Sequence, residues 1–135
     1  MAGEARKVEA ELQLSALAVE AALVRVGARG LSSTRMESAS TTVPSIVVYV
    51  TVLNREAGKK LSHSIISEKL AACVNIVQSD AEELLIIKTR ESLLDALTAH
   101  VKANHEYDVP EVIALPITGG NTKYLEWLKN STRDN

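Results

Sequence analysis

Apolar and polar positions alternate in a regular pattern from about residue 46 to the C-terminus, and the period of the pattern changes several times. Runs of β-branched and apolar residues predict four strands, because such residues favour a half-buried pleated surface. Apolar residues spaced by three or four predict helices between those runs. The predicted strands are 46–53, 73–77, 83–89 and 111–117, and the predicted helices are 55–70, 92–104 and one after Asn121.

Polar residues at the starts of these helices have the chemistry of helix caps. Asn54 and Asn121 each precede a helical pattern, where an amide oxygen can accept a free backbone N–H of the first turn. Ser92 with Asp95 predicts a capping signal for the second helix. Pro116 has no N–H to donate, so it predicts that the last strand lies at a sheet edge.

The order of the predicted elements defines a fold class. Strand, helix, strand, strand, helix, strand is the split βαβ arrangement of the ferredoxin-like α+β folds. It predicts a mainly antiparallel sheet of four strands with two helices on one face. The other face needs a cover, which the C-terminal helix or a neighbouring subunit could provide.

Residues 1–42 differ in character from residues 43–135, and we interpret them as a leader. Residues 4–26 have good helix propensity, whereas residues 27–42 are rich in Gly, Ser, Thr and Arg. The second part resembles an organelle transit peptide near its cleavage site, although the first part contains unusual glutamates. We therefore predict a poorly ordered segment with at most an isolated helix before Gly27, and a domain from Val43 onward.

Composition excludes several classes of protein. A net charge of −2 gives no basic surface for nucleic acid, and the apolar runs are too short to cross a bilayer. Apolar residues make up 46% of the chain and aromatic residues only 3%, so the core must be aliphatic. Cys73 is the only cysteine, which rules out an internal disulfide. No nucleophile–base pair is visible, so we do not expect an enzyme.

The short turn from His105 to Glu111 is the best clue to function in the sequence, because it brings imidazole, phenol and carboxylates together. His105 is either a cation at a helix C-terminus or a metal ligand. Tyr107 and Glu111 either pack on the turn or form, with Lys88, the wall of a small polar pocket. Lys88 ends a predicted strand and could lean toward this turn.

The remaining candidates are a cysteine and two other histidines. Cys73 stands in an apolar context, so a buried structural thiol is favoured over a metal ligand. His63 and His100 are predicted to be exposed on helices.

The chain resembles the CutA family, named for divalent-cation tolerance, and is most similar to its plant members. The strings that carry the resemblance are VVYVTVLNREAGKKL, ISEKLAACVNIV, DAEELLIIKTR, HEYDVPEVIALPI and YLEWL. The resemblance implies a trimeric ferredoxin-like protein, akin to nitrogen-regulatory PII proteins, that binds copper or other divalent cations without enzymatic activity. Similarity to plant members, together with the leader, suggests a chloroplast location, with a cytoplasmic one as the alternative.

The sequence departs from the family pattern in two places. The aromatic hairpin that family members carry between the second and third strands is missing after Val77, which predicts a weakened trimer and unpaired strand edges. In some bacterial members the copper ligands include a cysteine and adjacent histidines, at positions that match Val50 and Asn104-His105 here. Only His105 is retained, so the resemblance implies weak copper binding.

Two functional hypotheses remain open. The first is a non-enzymatic copper-binding protein of metal tolerance, with His105 and Cys73 as candidate ligands. The second is a PII-like oligomeric module that binds a small anionic metabolite, with Lys88, Tyr107 and Glu111 as the pocket.

Overall fold

The computed structural model describes residues 12–15, 41–79 and 82–134, the first of these as backbone only. The strands are β1 (Leu12–Ser15), β2 (Ser45–Val52), β3 (Cys73–Gln78), β4 (Glu83–Arg90) and β5 (Ile113–Ile117). The helices are α1 (Arg55–Ser67), α2 (Leu94–Ala103) and α3 (Thr122–Asn130).

The four predicted strands form one sheet in the order β3-β4-β2-β5, and every neighbouring pair is antiparallel. The predicted ferredoxin-like α+β fold is therefore confirmed. Central strands β2 and β4 pair along their whole lengths, from Ser45 with Arg90 to Val52 with Glu83. Strand β5 lies at the edge, where Pro116 is tolerated as predicted.

The core lies between the sheet and helices α1 and α2. Alternate residues of β2 and β4 point to this side, so Val48, Val50, Leu85 and Ile87 have no exposed surface. Leu97 of α2 is equally buried. The core is aliphatic, as the near absence of aromatic residues predicts.

The opposite sheet face is only partly covered. Helix α3 packs against β4 on this side and brings Tyr124 to Lys88, with 3.5 Å between Nζ and the hydroxyl oxygen. Beyond α3, half-exposed apolar side chains remain, including Ile113 at 50% exposure and Leu115 at 45%. We refer to this surface as the open face; it comprises Val47, Tyr49, Leu84, Ile86, Ile113 and Leu115.

Strand β1 lies within the predicted leader and differs from the expectation there. Its four residues pair antiparallel with β3, from Leu12 with Ile76 to Ser15 with Cys73, so a helix across these positions was wrong. The sequence Leu-Gln-Leu-Ser alternates apolar and polar residues, which is a strand signal inside a helix-favouring stretch. The outer edge of β3, expected to be unpaired, is covered by β1. The other leader residues lie outside the described part of the chain.

Two of the three predicted helix caps are confirmed, and the third was wrong. Asn54 Oδ1 accepts the N–H of Ala57 at 2.9 Å, and Asn121 Oδ1 accepts the N–H of Lys123 at 2.9 Å. Ser92 makes no capping hydrogen bond, because a 3-10 turn over Glu91–Leu93 leads into α2 and leaves Leu93 as its N-cap.

The difference between Asn54, which caps a helix, and Ser92, which does not, can be tested with two matched variants. Asn54→Ala should lower the free energy of unfolding by about 1 kcal/mol, because the first turn of α1 loses an acceptor. Ser92→Ala removes a hydroxyl that caps nothing, so its effect should stay within about 0.5 kcal/mol. Urea unfolding of both variants measures the difference. Equal losses would contradict the assignment of the caps.

Candidate functional site

The turn after α2 is held against the end of β2 by the imidazole of His105. Its Nε2 lies 2.7 Å from the carbonyl oxygen of Thr51, and its Nδ1 accepts the backbone N–H of Tyr107 at 3.0 Å. A carbonyl oxygen can only accept, so Nε2 carries the proton and Nδ1 holds the lone pair. Strand β5 pairs with β2 only as far as Tyr49, so His105 supplies a donor to β2 beyond the end of β5.

Tyr107 and Glu111 join the same cluster through different contacts. The Tyr107 hydroxyl donates to Glu82 Oε2 at 2.7 Å, and Thr51 Oγ1 donates to Glu111 Oε1 at 3.4 Å. The hydrogen bond to Glu82 raises the pKa of Tyr107, with further contributions from burial and from the negative charge of Glu82 and Glu106. His105 and Glu111 therefore meet at Thr51, and Tyr107 joins them through its contact with His105.

Lys88 lies elsewhere, and the expectation that it leans toward this turn needs correction. In the register of the central strands Thr51 faces Leu84, whereas Lys88 faces Val47. The two positions of β4 are four residues apart, which is about 13 Å along a strand. Within one chain, Lys88 therefore does not line a pocket with Tyr107 and Glu111.

Cys73 sits beside Lys88 at this second location. It is the direct cross-strand partner of Lys88 and is 1% exposed. Burial raises the pKa of the Cys73 thiol, while the ammonium of Lys88 and the hydroxyl of Tyr124 oppose the shift. Its sulfur also lies 3.6 Å from Asn75 Oδ1. The structure thus separates Cys73 from His105, and one chain cannot bring both to the same ion.

A cleft of about 310 Å³ opens on the other side of the His105 turn, between α1 and the end of α2. Apolar and polar residues both line it, and the lining includes one lysine and one glutamate. The lining residues are Val52, Ala57, Lys60, Leu61, Ser64, Asn104, His105 and Glu106.

The two other histidines differ from each other. His63 is exposed, as predicted. His100 is half-buried, and its Nε2 lies 2.8 Å from Ser64 Oγ on α1, so the prediction of an exposed His100 was wrong. The Ser64 hydroxyl also donates to the Leu61 carbonyl at 2.8 Å, which leaves its oxygen to accept from the imidazole. His100 therefore links the two core helices.

The cluster at the turn fits a metal ion only in part. A histidine ligand commonly donates its other N–H to a backbone carbonyl, which is the arrangement of Nε2 and Thr51 here. The Nδ1 lone pair is the matching coordination position, although it now accepts the Tyr107 N–H. Within the described residues, no group of three or more histidine, cysteine or carboxylate side chains is placed to hold a metal ion.

Sequence reasoning missed Thr51 and Glu82 as members of this cluster. Both are joined to the turn through contacts between residues far apart in sequence, and Thr51 participates through its backbone as well as its hydroxyl. The only sequence signal for Thr51 was its place near the end of a predicted strand.

The structure is that of a ferredoxin-like α+β protein, and the polar cluster at the turn after α2 has a single imidazole at its centre. Residues 46–131 match the family model described as CutA1 divalent ion tolerance protein. The chain therefore belongs to the CutA1 family.

Individual relatives and solved structures agree with this assignment. Protein CutA 1, chloroplastic, of Oryza sativa subsp. japonica is 76% identical over 124 residues, which cover 80% of this chain and 70% of the relative. Protein CutA, chloroplastic, of Arabidopsis thaliana is 73% identical over 116 residues, covering 76% of this chain and 64% of the relative. The crystal structure of CutA1 from Oryza sativa has a TM-score of 0.68 at 78% identity, covering 71% of this chain and all of that chain.

The names of both plant relatives place them in the chloroplast, which agrees with the location that the leader predicts. No helix among the described residues is long and apolar enough to cross a membrane.

Proposed function

We propose that this chain is a non-enzymatic divalent-cation-binding protein of the chloroplast, and that it takes up copper weakly through Nδ1 of His105. Two observations support the proposal: membership of a family described by divalent ion tolerance, and an imidazole whose proton is fixed on Nε2 by the Thr51 carbonyl. Fixing the tautomer leaves the lone pair on Nδ1, which is the atom that a metal needs.

Coordination at Nδ1 has a defined cost. The incoming ion must displace the N–H of Tyr107, a hydrogen bond of the kind that contributes about 1 kcal/mol to stability. The charged neighbours Glu106 and Asp108 add negative potential at the turn. Copper prefers several nitrogen or sulfur ligands, so a single imidazole gives modest affinity unless a second copy contributes more.

Cys73 is a weaker candidate in this scheme. The thiolate is the form that binds metal, and burial raises the pKa of Cys73, which favours the thiol. We therefore propose a structural role for Cys73 beneath α3, and His105 as the copper ligand.

His105→Gln should remove what copper binding the chain has while keeping the turn in place. The glutamine amide can still donate to the Thr51 carbonyl, but it offers no imidazole nitrogen. Isothermal titration with cupric chloride in a non-coordinating buffer measures the loss.

His63→Gln is the matched control, because it removes an exposed imidazole from α1 and should leave binding unchanged. If His105→Gln binds copper like the original chain while Cys73→Ser does not, the ligand is the thiol and the assignment fails.

We also propose that the chain associates with copies of itself, as a trimer weakened by the missing hairpin, through the open face. The half-exposed side chains there form an apolar surface of the kind that marks interaction sites. The PII-like alternative has no specific support, because Lys88 is remote from Tyr107 and Glu111.

A further inference from the structure

The cleft of about 310 Å³ between α1 and the end of α2 has the size of a small-molecule site. Ala57, Leu61 and Ser64 follow one another at the spacing of a single helix face, so one face of α1 forms one wall of the cleft. Residues 104–106, at and after the C-terminal end of α2, form the other wall. The cleft therefore lies between two separate elements of the fold.

Hydrogen bonds within the chain hold both walls of this cleft in place. Ser64 Oγ and His100 Nε2 lie 2.8 Å apart, which joins α1 to α2. The side-chain amide of Asn104 donates to the carbonyl oxygen of His100 at 2.8 Å. His105 Nε2 donates to the carbonyl oxygen of Thr51 at 2.7 Å. These bonds preform the cleft, and binding to a preformed site costs less conformational entropy.

Two charged groups at the cleft are available to a ligand. Lys60 on α1 and Glu106 after α2 both line the cleft, and both are exposed. Within the described part of the chain, neither group is within ion-pair distance of an opposite charge. The cleft therefore presents a cation on one wall and an anion on the other.

The rest of the lining includes three apolar side chains, which are Val52, Ala57 and Leu61. Val52 and Leu61 also belong to the buried core, and Ala57 packs against it, so the packing of the core fixes their positions. Small-molecule sites commonly combine an apolar surface with a few polar groups that orient the ligand. A ligand that matches this lining carries both charges and an aliphatic group.

We propose that the cleft binds a free amino acid with a branched aliphatic side chain, such as leucine. The carboxylate of the amino acid pairs with Lys60, and its ammonium group pairs with Glu106. Its side chain lies against the apolar part of the lining. A simple anion would be repelled by Glu106 and a simple cation by Lys60, so the two charges together select a zwitterion. This binding is separate from the proposed copper binding, because it needs no metal ion and leaves Nδ1 of His105 unused.

Titration of the isotope-labelled full chain with L-leucine, followed by NMR, tests the proposal. EDTA in the buffer makes the result independent of copper. The backbone amide signals of the lining residues should shift with a dissociation constant of about 1 mM or lower, as expected for a ligand with few non-hydrogen atoms. Glycine has both charges but no side chain, so it should bind about 10-fold more weakly. Equal affinities for glycine and leucine, or no shift of these amides at about ten times the expected dissociation constant, would contradict the proposal.

Two variants that each remove one charge assign the two ends of the ligand. Lys60→Gln should weaken leucine binding about 5-fold, but it should not weaken the binding of isopentylamine, which is leucine without its carboxylate. Glu106→Gln should also weaken leucine binding about 5-fold, but it should not weaken the binding of isocaproate, which is leucine without its ammonium group. Unchanged leucine binding in both variants would overturn the assignment.

Lys59→Gln and Asp108→Asn are the matched controls for loss of charge. Each removes an exposed charge from the same segment of the chain, at a position that does not line the cleft. Both should bind leucine as the original chain does, and circular dichroism checks that all four variants are folded. If the controls lose as much leucine affinity as the lining variants, net charge rather than the cleft determines binding, and the proposal is wrong.

Discussion

Replacing Arg90 with methionine should lower the free energy of unfolding by about 2–4 kcal/mol, a large effect for one surface-proximal side chain. Arg90 ends β4 and its side chain is only 10% exposed. Its Nε donates to Thr132 Oγ1 at 2.9 Å, and its Nη2 donates to the carbonyl oxygens of Lys129 at 2.6 Å and Thr132 at 3.0 Å. Methionine fills much of the space but leaves these acceptors without their donor.

The ion pair of Arg90 contributes little to this effect. Arg90 Nη1 lies 3.2 Å from Asp134 Oδ1, but Asp134 is 94% exposed and solvent screens the pair. Asp134→Asn should therefore change the free energy of unfolding by less than about 0.5 kcal/mol. Urea unfolding at one fixed protein concentration compares the two variants. A loss in Asp134→Asn as large as that in Arg90→Met would show that charge, rather than the carbonyl contacts, anchors the helix.

A second readout separates local release of α3 from global destabilisation. The anchored segment holds α3 over β4, where Tyr124 lies beside Lys88 and next to the buried Cys73. If Arg90→Met loosens α3, the Cys73 thiol should react faster with a thiol reagent under native conditions. If the free energy of unfolding falls as expected but the reaction rate of the Cys73 thiol is unchanged, the destabilised region lies outside α3.

The strands and helices of residues 45–130 could be predicted from the sequence because each element has a clean apolar period. The alternation in β2 and the three- and four-residue spacing in α1 correspond to the faces that the structure buries. The caps at Asn54 and Asn121 could also be predicted, since a cap depends only on the next three residues of the chain. The prediction that Ser92 caps α2 was wrong because residues Glu91–Leu93 form a 3-10 turn, so that the helix begins after Ser92.

The arrangement of the site depends on register, which a local pattern does not contain. Lys88 and the His105 turn are both near strand ends in the sequence, yet they lie at opposite ends of the β2–β4 ladder. Pairing shifted by even one residue exchanges the two faces of a strand, so the neighbours of Lys88 follow from the whole ladder. The local pattern around Arg90 likewise indicates only a charged residue at the end of a strand. The hydrogen-bond partners of Arg90 lie about 40 residues further along the chain.

Replacing Ile113 with glutamate should raise the dissociation constant of the proposed self-association by about 100-fold or more, because an assembly would bury an unpaired carboxylate. Ile113 is 50% exposed on β5, opposite Tyr49, and lies within the open face. In the single chain the new charge can still reach water, so the fold should tolerate it.

Val109→Glu is the matched control for added charge. Val109 is an apolar side chain at 86% exposure just before Pro110, and it is not one of the residues that make up the open face. Sedimentation across a dilution series from micromolar to nanomolar concentrations should show Ile113→Glu as a monomer where the original chain and Val109→Glu remain associated. If both glutamate variants dissociate alike, net charge rather than the open face governs association. If Ile113→Glu stays associated to nanomolar concentration, the copies meet through another surface, and the open face would need a different partner to cover it.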